Sequence, residues 1–184
     1  MYSAETLRWK VKQKNLMENK NGNMTNIVDV MGARQYNECT DVWEESDMLA
    51  DLAQKYFLEG DYNCAESLLR AANEYYALGL DSENCYRLVS AFGGGMGCGS
   101  VCGALAGGIA ALGQMTVDGR AHTTQDFKEN CASFVAEFEA ALGSQLCRDI
   151  KPALFEEGKR CAEAVRRGAD VLEKHMQARG FKKA

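Results

Sequence analysis

The stretch Phe92–Gly113, FGGGMGCGSVCGALAGGIAALG, constrains the fold of this chain more than any other. No charged residue occurs from Ala91 to Val117, although charged residues make up 26% of the sequence. Adjacent glycines are costly inside a helix, so the segment is predicted to open as a loop and to resume as a helix of very small residues from about Ser100. That helix places Cys102, Leu105, Ile109 and Leu112 on one side, and its partners can pack unusually close. The uncharged stretch has the length of a membrane span. Its glycines, Ser100 and Gln114 make it a poor one against the roughly 20 predominantly apolar residues a span needs, so a buried helix is expected.

Helical spacing recurs almost everywhere after residue 40. Leu49, Leu52, Ala53, Tyr56 and Phe57 line one face, with Gly60 as a stop. A second helix opens with Asp61 or Asn63 as N-cap, aligns Cys64, Leu68, Ala72 and Tyr75, and ends near Gly79. A third, capped by Asp81 or Ser82, stacks Cys85, Leu88, Val89 and Phe92 before the glycine run breaks it. Beyond the small-residue helix, Thr123 or Thr124 caps a helix carrying Phe127, Cys131, Phe134, Val135, Phe138 and Leu142, which Gly143 ends. Pro152 suits the first turn of a last helix, whose stripe is Leu154, Cys161, Val165, Leu172 and Met176 and whose end is Gly180. No segment reads convincingly as a strand. The predicted fold is all-α, an antiparallel helical bundle with a glycine-rich loop before a small-residue central helix. Residues 1–40 read as an accessory or disordered extension, with Met24 an alternative start, and residues 41–180 as one cysteine-rich domain.

A net charge of −5 argues against nucleic acid as a partner, because phosphate binding needs a basic face. The first two dozen residues lack the apolar run of a secretory signal, and no convincing span is present, so a cytoplasmic protein off the membrane is expected. Reducing conditions there leave eight cysteines, Cys39, Cys64, Cys85, Cys98, Cys102, Cys131, Cys147 and Cys161, for metal or redox chemistry rather than disulfide staples. The glycines form neither GxGxxG nor a P-loop, and they follow a helix rather than a strand, which excludes the usual nucleotide loops. No cysteine precedes a histidine as c-type haem attachment requires. His122 and His175 read as surface residues, so a Cys/His zinc site has little support. Conventional acid-base catalysis has little basis either, since the acidic runs WEESD and FEEG read as solvated helix faces with no partner histidine or GxSxG element.

The ordered segments YNCAESLL, FGGGMGCGSVCGALAGG, LGSQLCRDI and GKRCAEAV resemble the bacterial and archaeal C_GCAxxG_C_C family, whose members are described as redox-active. The resemblance runs from about Leu49 to Leu172, and the element Cys102-Gly103-Ala104-Leu105-Ala106-Gly107 carries the pattern CGAxxG in full. It implies a four-cysteine set of Cys64, Cys102, Cys147 and Cys161, and an iron–sulfur cluster, since some relatives hold one. Cys98 stands where the family does not usually have a cysteine, which makes it an extra ligand or a resolving thiol.

The local physics runs parallel to that implication. Cys64 falls in the first turn of one predicted helix, Cys102 near the start of another, and Cys147 just after a helix-ending glycine. Free N–H groups and partial positive charge at helix starts lower thiol pKa values and favour sulfur as an acceptor. Cys161 reaches the same region if the last helix packs on the small-residue one. Gly93, Gly94, Gly95 and Gly97 would then let backbone wrap an inorganic group, and Gly103 and Gly107 would let a helix approach it. Cys85 and Cys131, on apolar stripes, read as core residues; Cys39 is assigned nothing.

Three functions fit. The first is electron transfer or redox sensing through an iron–sulfur cluster on the four cysteines. The second is thiol–disulfide exchange by a pair such as Cys98 with Cys102 or Cys102 with Cys147. The third is a structural zinc site in an interaction module. A redox partner protein is expected in the first two, an oxidoreductase or its accessory if the protein is catalytic, and small-residue surfaces suit a homodimer.

Overall fold

The computed structural model describes residues 16–18, 24–26 and 48–184, and the chain divides into two units, Met1–Val42 and Trp43–Ala184. In the first unit, strands β1 (Leu16–Glu18) and β2 (Met24–Asn26) pair antiparallel, with Leu16 opposite Asn26. Cys39 lies outside the described residues.

The second unit is all-α. Its helices are α1 (Leu49–Leu58), α2 (Cys64–Tyr76), α3 (Glu83–Ser90), α4 (Gly103–Thr116), α5 (Phe127–Leu142), α6 (Cys147–Leu154) and α7 (Ala162–Gln177). Helix α2 packs on α1 and α4, and α7 packs on α1, α4 and α5. Leu68, Leu112, Phe134, Phe138, Val165, Leu172 and Met176 are fully buried where these helices meet. Among the described residues no helix is long and apolar enough to cross a membrane.

Local signals explain most boundaries. Asn63 accepts from the Ala65 and Glu66 amides at 3.0 and 3.2 Å while Glu66 accepts from the Asn63 amide, a reciprocal cap that fixes the start of α2. Helix α1 has no cap of its own. Its Leu49 amide donates instead to Glu173 of α7 at 2.9 Å, and Tyr75 Oη and Gln177 Nε2 donate to the same carboxyl at 2.8 and 2.9 Å. Glu173→Ala would remove the acceptor that the buried Leu49 amide and the Tyr75 hydroxyl share, so urea unfolding should show a loss of about 2 to 4 kcal/mol.

Four sequence expectations are corrected. Leu88 is 77% exposed rather than core-facing, because α3 docks through Tyr86 and Val89, and Tyr86 fills the slot beside Arg70, whose guanidinium lies 3.9 Å from its ring centre. Neither Thr123 nor Thr124 caps α5. Both hydroxyls donate to Arg120 O at 3.0 Å and close the preceding loop, leaving Asp126 at the cap position. Pro152 sits inside α6, past its first turn, where it cannot donate the helical hydrogen bond to Arg148 O, and α7 begins only at Ala162, after a turn closed by Glu156 and Arg160. Leu154 therefore belongs to α6 and not to the stripe of α7.

His175 is the fourth. It is 1% exposed, with Nδ1 2.8 Å from Glu137 Oε2 and Nε2 2.9 Å from Asn130 Oδ1. Burial pulls its pKa down, against the pull of Glu137. Both ring nitrogens are engaged, which makes it a satisfied core histidine rather than a surface group or a ligand. His122 lies on the exposed loop before α5, as expected.

Candidate metal centre

Four helices begin at the four cysteines of the motif. Cys64 is the first residue of α2 and Cys147 the first of α6, while Cys102 and Cys161 occupy the cap positions of α4 and α7. Helix starts carry unpaired amides and partial positive charge, so this arrangement turns four positive ends toward sulfur.

Two of these starts are tied by backbone. The Cys102 amide donates to Gln145 O at 2.8 Å and the Cys147 amide to Ser100 O at 2.7 Å, on either side of an antiparallel bridge between Val101 and Leu146. The turn Gly95–Gly99 closes onto the same place, with the Ser100 amide donating to Gly95 O at 2.9 Å in one π turn. Gly95 has φ of 64°, and a β-carbon there would lie 2.7 Å from Cys147 Cβ and from Ser100 N and O. Only glycine meets both demands.

The thiols sense one another in every pairing. Cys64 feels Cys102, Cys147 and Cys161; Cys102 feels Cys147 and Cys161; Cys147 feels Cys161. A hydrogen-bonding interaction between Cys64 and Cys161 dominates. It pushes the Cys64 thiol far up, aided by burial, and draws Cys161 down to about 7, with Lys151 and Arg160 adding to the fall. Of the two thiols, Cys161 is the one drawn toward the thiolate form. Burial raises Cys102, while the amides of Ala104 and Leu105 work against that rise. Burial also raises Cys147, and Lys151 opposes it.

The other cysteines stand apart. Cys98 is exposed, and its thiol donates to Gly95 O at 3.4 Å rather than to Cys102. Cys131 packs against the core, and Cys85 is partly exposed on α3. All seven described cysteines are free.

The glycines are occupied largely by the chain itself. A β-carbon at Gly93 would meet the Asn63 side chain at 3.0 Å, one at Gly103 would meet Cys64 Cβ at 3.1 Å, and one at Gly107 would meet Ala65 O at 2.5 Å. Gly94 and Gly97 adopt left-handed backbone with open space around them. Among the described residues, no three His, Cys, Asp or Glu side chains already surround one metal-sized point. The thiols form a shared neighbourhood of soft donors, not a closed cage.

A family model described as "Putative redox-active protein (C_GCAxxG_C_C)" matches residues 62–175, which span all four of these helix starts. The chain belongs to the C_GCAxxG_C_C family. Membership makes it one of a redox-active group, and the four cysteines that the motif picks out are those the fold gathers. No match was found among curated proteins or among solved structures.

Sequence reasoning placed Cys64 and Cys102 at or near helix starts and Cys147 only just after a helix-ending glycine, whereas the structure opens α6 at Cys147; it put Cys161 inside a helix. The family pattern marked Cys161 without marking its neighbour, and the largest influence on its thiol comes from Cys64, while Cys98 turns to Gly95 O. Lys151 went unnoticed although its spacing of four from Cys147 places it over the same face of α6.

Proposed function

We propose that this protein is a redox carrier or sensor in which Cys64, Cys102, Cys147 and Cys161 hold an iron–sulfur cluster. One observation carries the reading: the four motif thiols occupy the starts of four different helices, within electrostatic reach of one another in every pairing. Four thiolates are the usual complement for such a group, which when bound would take up and release single electrons. The donor set fits it in number and softness.

The chain's own part is to make four thiolates tolerable in one place. Helix N-termini, the Ala104 and Leu105 amides, Lys151 and Arg160 offset their negative charge. The Val101–Leu146 bridge fixes the entries of α4 and α6, and Gly95 lets the π turn lie flat on Cys147. Because the ligands are scattered through the sequence, the site would form on a folded scaffold, and its loss should loosen the helices that meet there. A reducing cytoplasm suits free thiols, and a protein redox partner would supply or accept the electrons.

The interaction of Cys64 with a low-pKa Cys161 favours a second reading, a dithiol that closes to a disulfide. In that step the Cys161 thiolate attacks a partner's disulfide, and Cys64, after losing its proton, displaces the partner sulfur. Two electrons pass to the partner and one S–S bond forms in this chain.

Purification without oxygen, followed by absorption spectroscopy and iron, zinc and acid-labile sulfide analysis, separates these readings. The expected result is broad visible absorption bleached by dithionite, with iron and sulfide, lost in each single Cys→Ser variant of the four and retained in Cys85→Ser and Cys131→Ser. Zinc without colour would replace the cluster by a structural site. Metal-free protein in which only Cys64→Ser and Cys161→Ser remove redox activity would establish the dithiol.

A further inference from the structure

Two residues other than glycine adopt left-handed backbone just ahead of the paired thiols. Asp61, with φ of 54°, lies three residues before Cys64, and Arg160, also with φ of 54°, lies one before Cys161. A β-carbon makes this region costly; aspartate visits it readily, arginine does not. Such outliers persist where the surroundings hold them, and they concentrate at working sites.

What holds them is each other. Arg160 Nη1 is 3.0 Å from Asp61 Oδ1, Nη2 donates to Phe57 O at 2.7 Å, and the guanidinium carbon sits 4.5 Å from the centre of the Phe57 ring. Phe57 is in the last turn of α1, where carbonyls have no partner within the helix, so the guanidinium supplies one. On its own side the Arg160 backbone is fixed as well, its amide donating to Glu156 O at 2.6 Å and its carbonyl accepting from Glu156 N at 2.9 Å. One planar group thereby fastens the end of α1, the turn that delivers Cys64 and the turn that delivers Cys161.

The Arg160 and Asp61 side chains are 43% and 86% exposed. An ion pair so exposed contributes little to stability. Its contribution is to geometry. We propose that the Arg160–Asp61 clamp is a positioning device that holds Cys64 and Cys161 together and so sets the arrangement of the thiol site. The proposal rests on the reading that the motif thiols act as one site.

Full-length, metal-free, reduced protein treated briefly with diamide tests it, with disulfide-linked peptides quantified by mass spectrometry and melting temperature measured beside them. In the wild type the Cys64–Cys161 bond should form fastest. Arg160→Gln should slow it by about tenfold or more, leaving Cys102–Cys147 linkage and melting temperature unchanged, since small displacements of reacting atoms have large effects on rate. Arg160→Lys keeps the charge but cannot serve the carbonyl and the carboxylate with one planar fork, and should recover less than half of the loss. Asp61→Asn separates position from charge. Losing a negative charge three residues before Cys64 would by itself leave the thiolate no less favoured and the bond no slower, whereas a loosened clamp slows it.

Closure no slower in Asp61→Asn, full rescue by Arg160→Lys, or a uniform fall of all linkages with the melting temperature would each overturn the clamp while leaving the shared site standing. A wild type that forms no Cys64–Cys161 bond would overturn the shared site and the clamp with it.

Discussion

Gly107→Ala is expected to lower the free energy of unfolding by about 3 kcal/mol, while Gly113→Ala, six residues along the same helix, should raise it by about 0.5 to 1 kcal/mol. Both glycines lie in α4, where alanine has the better helix propensity by roughly 1 kcal/mol. A β-carbon at Gly113 would meet only Phe127 Cζ, at 4.0 Å, so the propensity gain stands. At Gly107 it would lie 2.5 Å from Ala65 O and 2.9 Å from Ala65 Cα. These are backbone atoms of α2 and cannot rotate away, so the two helices must separate. The measurement is a pair of urea titrations at equal m, for which a shift of midpoint reads stability directly. The separation also has a functional consequence. Helices α2 and α4 start at Cys64 and immediately after Cys102, so prising them apart should weaken metal retention in Gly107→Ala and leave it intact in Gly113→Ala.

The small-residue segment was legible because its reason is steric and local: nothing but glycine and alanine lets α2 and α4 cross so closely. The same holds for the cap at Asn63 and for the apolar faces of α1, α2 and α5, where periodicity of a long helix marks the buried side. It fails for α3, a helix of eight residues, which is too short for its stripe to outvote the one aromatic that finds a slot. His175 looked like a surface residue because its partners, Glu137 and Asn130, are remote in sequence and only folding brings them to its two nitrogens. Arg160 was invisible for a related reason. Its backbone conformation is one that arginine rarely adopts, and the Phe57 carbonyl that receives it lies about a hundred residues away. The glycine run was read toward a cofactor; Gly93, Gly95 and Gly99 are pressed by the protein's own atoms, and Gly94 and Gly97 have open space. Gly95 alone is pressed by both a left-handed φ and a thiol-bearing neighbour. What the sequence marks well is where a helix starts; which starts meet depends on long-range packing.

In the reduced, metal-free protein, alkylation of Cys161 by iodoacetamide should follow a titration midpoint near pH 7, and Cys64→Ala should move that midpoint up toward the ordinary thiol value of 9.0. The interaction with Cys64 is the largest cause of the fall, and alanine, unlike serine, offers no donor in its place. With a pKa near 7 about half of Cys161 is thiolate at pH 7; near 9 only about 1% is, roughly a fiftyfold difference. The rate at pH 7 understates this. A more basic thiolate is a better nucleophile, by roughly tenfold over a pKa difference of about 2 at a Brønsted slope near 0.5, so the observed rate should drop only about fivefold. The midpoint of the full pH profile is therefore the quantity to measure. If it stays near 7 in Cys64→Ala and rises in Lys151→Gln, the cations flanking Cys161 set its charge and the thiol pair does not. If it rises in Cys64→Ala, the two helix starts that carry these cysteines behave as one chemical unit before any metal is bound.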